Sequence, residues 1–168
     1  MEEKYNIGII IDRTGSVVNE GKMIEESIKL MVEALCSNYP QARAKEMAVT
    51  YIGKEDFLLP QYNKDFNMQI TMLGGSLKKA DILEYKNIFE LFEKTAGEKG
   101  VKKVFFFTDG YLAEGNWEQF IALLNEDKRF DEIERIVIGI GEGVNELSLK
   151  KFSSAGRVFQ YKDVYSLI

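Results

Sequence analysis

The chain contains no histidine, a single cysteine (Cys36) and only two prolines among its 168 residues. Those counts exclude a Ser-His-Asp or Cys-His nucleophile pair, a histidine general base, and a zinc cage built from His and several Cys. An internal disulfide is excluded with them. The longest strongly apolar runs, Ile7 to Ile11 and Val104 to Phe107, fall far short of the roughly 20 residues that span a bilayer. Any chemistry must therefore come from carboxylates, hydroxyls, amines and backbone groups.

Lys and Arg number 22 against 27 Asp and Glu, a net charge of −5, so no electrostatic grip on nucleic acid or on an anionic membrane is expected. The hydrophobic share of 45% is ordinary for a globular protein, and a core can form without disulfides. Met1-Glu2-Glu3-Lys4 is charged and runs directly into a strand-like segment, unlike the apolar stretch of a signal peptide. The expectation is a cytoplasmic protein with one domain over residues 1–168. No repeat and no Pro- or Ser-rich linker divides it.

Tyr5 to Ile11 is a continuous apolar run, the pattern of a parallel strand covered on both faces. Ile24, Ile28, Met31 and Leu35 recur at helical spacing, with Pro40 just beyond. Met47 to Ile52 and Asp56 to Leu59 flank Gly53-Lys54-Glu55, which predicts a hairpin placing an antiparallel strand on the sheet edge. A polar loop follows. Further along, Ile82, Tyr85, Phe89 and Phe92 mark a second helix and Lys103 to Phe107 a buried strand. Trp117, Phe120, Ile121 and Leu124 mark a third helix, and Ile133 to Ile140 another strand. Val144 to Ala155 suggests a fourth helix, Arg157 to Tyr161 a short strand, and Asp163 to Ile168 a final turn. This alternation predicts a doubly wound, mainly parallel six-stranded α/β sheet with one antiparallel edge strand and helices on both faces. In such sheets ligands bind outside the carboxyl ends of the strands, where strand order reverses.

The residues after the strands are informative for that reason. Asp12-Arg13-Thr14-Gly15-Ser16 follows the first strand, Gly74-Gly75-Ser76 precedes the second helix, and Thr108-Asp109-Gly110 follows the Phe-rich strand. Two carboxylates and three hydroxyls from three loops make an all-oxygen site suited to a hard divalent cation. On these residues the sequence resembles a von Willebrand factor A (vWA) domain over nearly its whole length. That family carries a metal-ion-dependent adhesion site (MIDAS), with D-x-S-x-S in the first loop, Thr in the second and Asp in the third.

The resemblance implies metal ligands at Asp12, Thr14, Ser16, Ser76 and Asp109, with Mg²⁺ as the ion and Mn²⁺ or Ca²⁺ as possible substitutes. It implies no catalytic residues: a protein partner offers an acidic side chain that completes the coordination. In overall character the chain is similar to the small bacterial cytoplasmic, TerY-like members, which implies a stress-response or tellurium-resistance setting. Thr14 stands where Ser is usual and Ser76 where Thr is usual, and each keeps its hydroxyl.

Two other functions are carried beside this one. A haloacid-dehalogenase-like, Mg²⁺-dependent phosphohydrolase would use Asp12 as nucleophile, but that class places a second Asp two residues on, where this chain has Thr14. A structural subunit with a degenerate metal site is the other. A P-loop hydrolase has no G-x-x-x-x-G-K-[ST] to rest on.

Thr108 reads as a satisfied hydroxyl beside the ligand Asp109. Gly139-x-Gly141-x-Gly143 reads as a tight strand-to-helix turn. Tyr111, with Leu112, either lines a docking rim or covers the sheet end. Trp117 and Cys36 read as core, while Lys78-Lys79, Lys102-Lys103 and Lys150-Lys151 read as solvated faces.

Overall fold

A computed structural model describes residues 5–12, 23, 26, 30, 47–52, 55–60, 66–73, 85–110, 114–141, 143–160, 163 and 166–167. Its main sheet is built on three apolar runs. Strand β5 (Val101–Thr108) lies at the centre, paired on one side with β1 (Tyr5–Asp12) and on the other with β6 (Glu134–Gly139). The short β7 (Val158–Gln160) closes one side and β4 (Phe66–Leu73) the other, in the order β4-β1-β5-β6-β7. All four pairings are parallel.

The expected α/β class is therefore present, but two of its details are corrected. The predicted hairpin exists as β2 (Met47–Ile52) and β3 (Glu55–Pro60), in antiparallel register from Met47↔Pro60 to Ile52↔Glu55. It forms its own two-stranded sheet, so the main sheet has five strands and no antiparallel edge among the described residues. The place beside β1 belongs to β4, in a segment read from sequence as polar loop. Phe66, Met68, Ile70 and Met72 alternate there with Asn67, Gln69 and Thr71. That period of two is the mark of a half-buried strand, and the amides disguise it.

Side chains alternate across the sheet, and each face has its own set. Ile10, Val104, Phe106 and Val137 face one cluster, completed by Ile88, Leu91 and Phe92 of α1 (Lys86–Gly97) and by Trp117, Phe120, Ile121 and Leu124 of α2 (Glu114–Glu126). Leu149 of the short α3 (Glu146–Lys150) and the following Phe152 close it. Aromatic rings supply much of this contact: Tyr85 stacks on Phe120 at 4.4 Å between centroids, while Phe106 meets Trp117 at 5.8 Å and Phe152 at 5.5 Å. Trp117 is core, as expected, and its indole N–H donates to the Ser148 carbonyl at 2.6 Å. Ile9, Ile11, Phe105, Phe107, Ile136 and Ile138 are buried on the strands as well, in the opposite phase of the alternation.

Three smaller expectations change. The fourth helix spans only Glu146–Lys150, because the chain turns at once: Phe152 and Ser153 N–H both donate to the Leu149 carbonyl and Ser154 N–H donates to that of Arg135. Lys102 and Lys103 do not form a solvated face. Their side chains are only 9% and 15% exposed, and each ammonium donates to a carbonyl, Lys102 to Ala96 at 3.0 Å and Lys103 to Leu167 at 2.7 Å. Their long apolar stems cover the sheet while the charge reaches its rim. Lys150 and Lys151 are exposed as expected. A 3₁₀ turn over Lys128–Phe130 links α2 to β6, unforeseen in the sequence.

Met23, Glu26 and Leu30 are helical, inside the span assigned to the first helix, whereas its stripe of Ile24, Ile28, Met31 and Leu35 lies outside the described residues. So do Cys36, Lys78, Lys79, Tyr111 and Leu112. Among the described residues no helix is long and apolar enough to cross a membrane.

Candidate metal centre

The chain runs from β1 outward to β4 and then returns to β5 on the other side of β1, so the order reverses between β1 and β5. The carboxyl ends of those two strands form the crevice where this class of fold binds ligands. Asp12 ends β1, and Thr108-Asp109-Gly110 follows at the end of β5. The register pairs Ile10 with Phe106 and Ile11 with Phe107, which brings Asp12 alongside Thr108 on the same face of the sheet.

Both carboxylates are buried, Asp12 with 1% and Asp109 with 7% of its surface exposed. The Thr108 hydroxyl donates to Asp12 Oδ2 at 2.7 Å, a bond between residues 96 apart in the chain. The same hydroxyl oxygen accepts the Gly110 N–H at 3.0 Å. Thr108 is thus a satisfied hydroxyl, but the partner that satisfies it is the other candidate ligand.

The turn is held equally firmly from the β6 side. Ile140 N–H donates to the Thr108 carbonyl at 3.0 Å and Asn145 N–H donates to the Asp109 carbonyl at 2.8 Å. Gly110 has a φ of +83°, and a Cβ there would stand 2.6 Å from the Asn145 carbonyl oxygen and 3.0 Å from Leu149. Only glycine fits this position. The exit from β6 turns tightly at Gly141, with a φ of +84°, as expected. Beside it, a cleft of about 370 Å³ opens among Gly139, Gly141, Val144, Glu146 and Phe159, two strands away from Asp12.

Of the five candidate ligands, the described residues include Asp12 and Asp109, which the fold brings to one edge. Thr14, Ser16 and Ser76 lie outside the described residues. β4 ends at Leu73 in register with Asp12, three positions before Ser76 in the chain. No group of three or more His, Cys, Asp or Glu that could hold a metal occurs among the described residues. Two buried carboxylates at neighbouring strand ends, one of them bonded to the Thr108 hydroxyl, are nonetheless hard oxygen donors of the kind a divalent cation takes. The residue that sequence reasoning undervalued is Thr108. Its position one residue before a strand-end Asp, in phase with Asp12, was the available signal.

Against known proteins, no family profile and no curated protein sequence matches the chain. Solved structures do. Proximal thread matrix protein 1 from the mussel byssus shares 16% identity at a TM-score of 0.51, over 99% of this chain and 44% of that one. The chain thus spans less than half the length of that protein. A conserved hypothetical protein, BatB, from Bacteroides thetaiotaomicron shares 11% identity at a TM-score of 0.50, over 96% of both chains. An aerotolerance-related membrane protein from Bacteroides fragilis superimposes at 0.48 with 11% identity, over 98% of this chain and 96% of that one. The fold is a vWA-like α/β fold. The two likenesses at TM-scores of 0.51 and 0.50 establish the shared arrangement of strands and helices and nothing about activity.

Proposed function

We propose that the domain is a metal-dependent protein-binding module. Asp12 and Asp109 hold a divalent cation, Mg²⁺ in the first instance with Mn²⁺ or Ca²⁺ as substitutes, assisted by the hydroxyls of Thr14, Ser16 and Ser76. The observation that carries this reading is the juxtaposition of two buried aspartates at the ends of β1 and β5, with Thr108 bridging from one strand to the other.

A bound cation supplies an exchangeable coordination position and neutralises the two carboxylates. Asp12 and Asp109 provide the charge, and the buried surroundings of the strand ends limit competition from water. The turn from Thr108 to Gly110 fixes Asp109 through backbone bonds to Ile140 and Asn145. With only two carboxylates in the set, one position is left for an acidic side chain of a partner protein. A role in a bacterial stress or tellurium-resistance system extends this reading and rests on the sequence resemblance alone.

Thermal melting of the full chain with and without Mg²⁺ tests the proposal. An ion that binds only the native state stabilises it by mass action, about 2.7 kcal/mol at a hundredfold excess over Kd. The melting temperature should rise with Mg²⁺ in the parent protein and stay constant in Asp12→Ala and Asp109→Ala. An unchanged parent curve leaves a structural subunit. Turnover of a generic phosphate ester that disappears in Asp12→Asn favours the phosphohydrolase.

A further inference from the structure

We propose that Thr108 is a positioning residue for the metal centre, whose hydroxyl sets the orientation of the Asp12 carboxylate relative to Asp109. The inference rests on the metal-binding reading above and deepens it.

A hydroxyl has one proton to give. At Thr108 the oxygen already accepts the Gly110 N–H at 3.0 Å, so one lone-pair direction is taken and the proton points to Asp12 Oδ2, 2.7 Å away. The side chain is completely buried, which removes water as a competing partner. Its β-branched Cβ restricts rotation about χ1, and the hydroxyl is held in one place. The turn does not need that hydroxyl for its attachment to β6 and α3, since the carbonyls of Thr108 and Asp109 are engaged by Ile140 and Asn145. What the hydroxyl adds is a tie across to β1. One oxygen atom thereby relates the first ligand loop to the third, two segments almost a hundred residues apart in sequence.

Groups that hydrogen-bond a metal-ligating carboxylate contribute to affinity without touching the ion, and their loss typically weakens binding about 10- to 100-fold. Thr108→Val keeps the shape and removes both hydrogen bonds. Thr108→Ala removes them with less bulk, and serves if the valine variant does not fold. Thr108→Ser restores the hydroxyl.

Binding of Mn²⁺ alone to the full chain is measured by the electron paramagnetic resonance signal of the free ion. Circular dichroism and urea denaturation are recorded for every variant. The expected result is Mn²⁺ affinity weakened about 10- to 100-fold in the valine or alanine variant and close to the parent value in the serine variant, with the fold retained. Parent-like affinity in valine or alanine, with only stability reduced, overturns the positioning role and leaves the metal site standing. Serine as weak as valine also overturns it, because the hydroxyl is then not the active feature. No saturable Mn²⁺ binding by the parent protein overturns both the metal reading and this inference.

Discussion

Asp12 and Asp127 are both hydrogen-bonded carboxylates, yet they are made in opposite ways. Asp127 sits on the surface and accepts bonds from Arg129, two residues away, through its backbone N–H at 3.0 Å and its guanidinium at 2.6 Å. The Arg129 side chain holds the Asp127 carboxyl below the usual carboxylate range. Asp12 is buried, and its partner Thr108 reaches it only because β1 and β5 lie side by side. The local pair forms wherever the 3₁₀ turn forms, and water screens what it contributes. The long-range pair exists only in the folded sheet, in surroundings where a charge is costly unless compensated. A buried carboxylate presented at a strand end can therefore serve a ligand in a way that the exposed one cannot.

The largest expected effect comes from the wall beneath the long-range pair. Phe106→Ala removes a fully buried ring that packs on Trp117 and Phe152, two positions before Thr108. It should cost about 3–5 kcal/mol in urea denaturation followed by the fluorescence of Trp117, the only tryptophan. A much smaller loss would mean that β5 is not anchored as its burial implies.

Gly110→Ala comes next. The left-handed backbone alone costs about 1–2 kcal/mol for a residue with a side chain, and the approach of the Asn145 carbonyl adds to it. Denaturation midpoints at constant m-value measure the sum. A neutral outcome would show that the turn relaxes freely and does not fix Asp109.

A double-mutant cycle with Asp12→Asn and Thr108→Val should then return a coupling of about 0.5–3 kcal/mol, the range for residues in direct contact. The parallel cycle on Asp127 and Arg129 should return less. Equal couplings would erase the distinction between the two pairs.

The smallest effect concerns pH. The folded-state pKa of Asp127 is depressed, so the stabilisation from its pairing is present above the unfolded-state pKa of about 4 and disappears as pH falls through the lower folded value. Asp127→Ala should lie slightly below the parent in stability at neutral pH and converge with it in the acid limb. A gap that persists at the lowest pH would assign the difference to something other than the carboxylate.

How far the sequence could be read depended on which partner each residue uses. β1, β5 and β6 were legible because a strand covered on both faces carries consecutive apolar residues, as in Ile9–Ile11, Val104–Phe107 and Ile136–Ile138. β4 was missed because three of its eight positions, Asn67, Gln69 and Thr71, carry amides or a hydroxyl, which suit one face of an edge strand as well as they suit a loop. The hairpin was recognised from its turn, but whether it joined the main sheet depends on pairings its own residues do not encode. Asp12 and Asp109 stood out as carboxylates after strands. Thr108 did not, because its role comes from a neighbour 96 positions away.

The absence of histidine and the single cysteine determined by themselves that a side-chain metal site here draws chiefly on oxygen donors, and apolar periodicity determined the α/β class. Those properties are local or compositional, and no folding is needed to state them. Only the tertiary structure decided that β4 flanks β1, that the hairpin stands apart from the main sheet, and that Asp12 and Thr108 share one hydrogen bond. Each of these is a pairing between distant segments, selected by competition among alternative strand neighbours for burial and hydrogen bonds, and such a competition is resolved only when the whole sheet assembles.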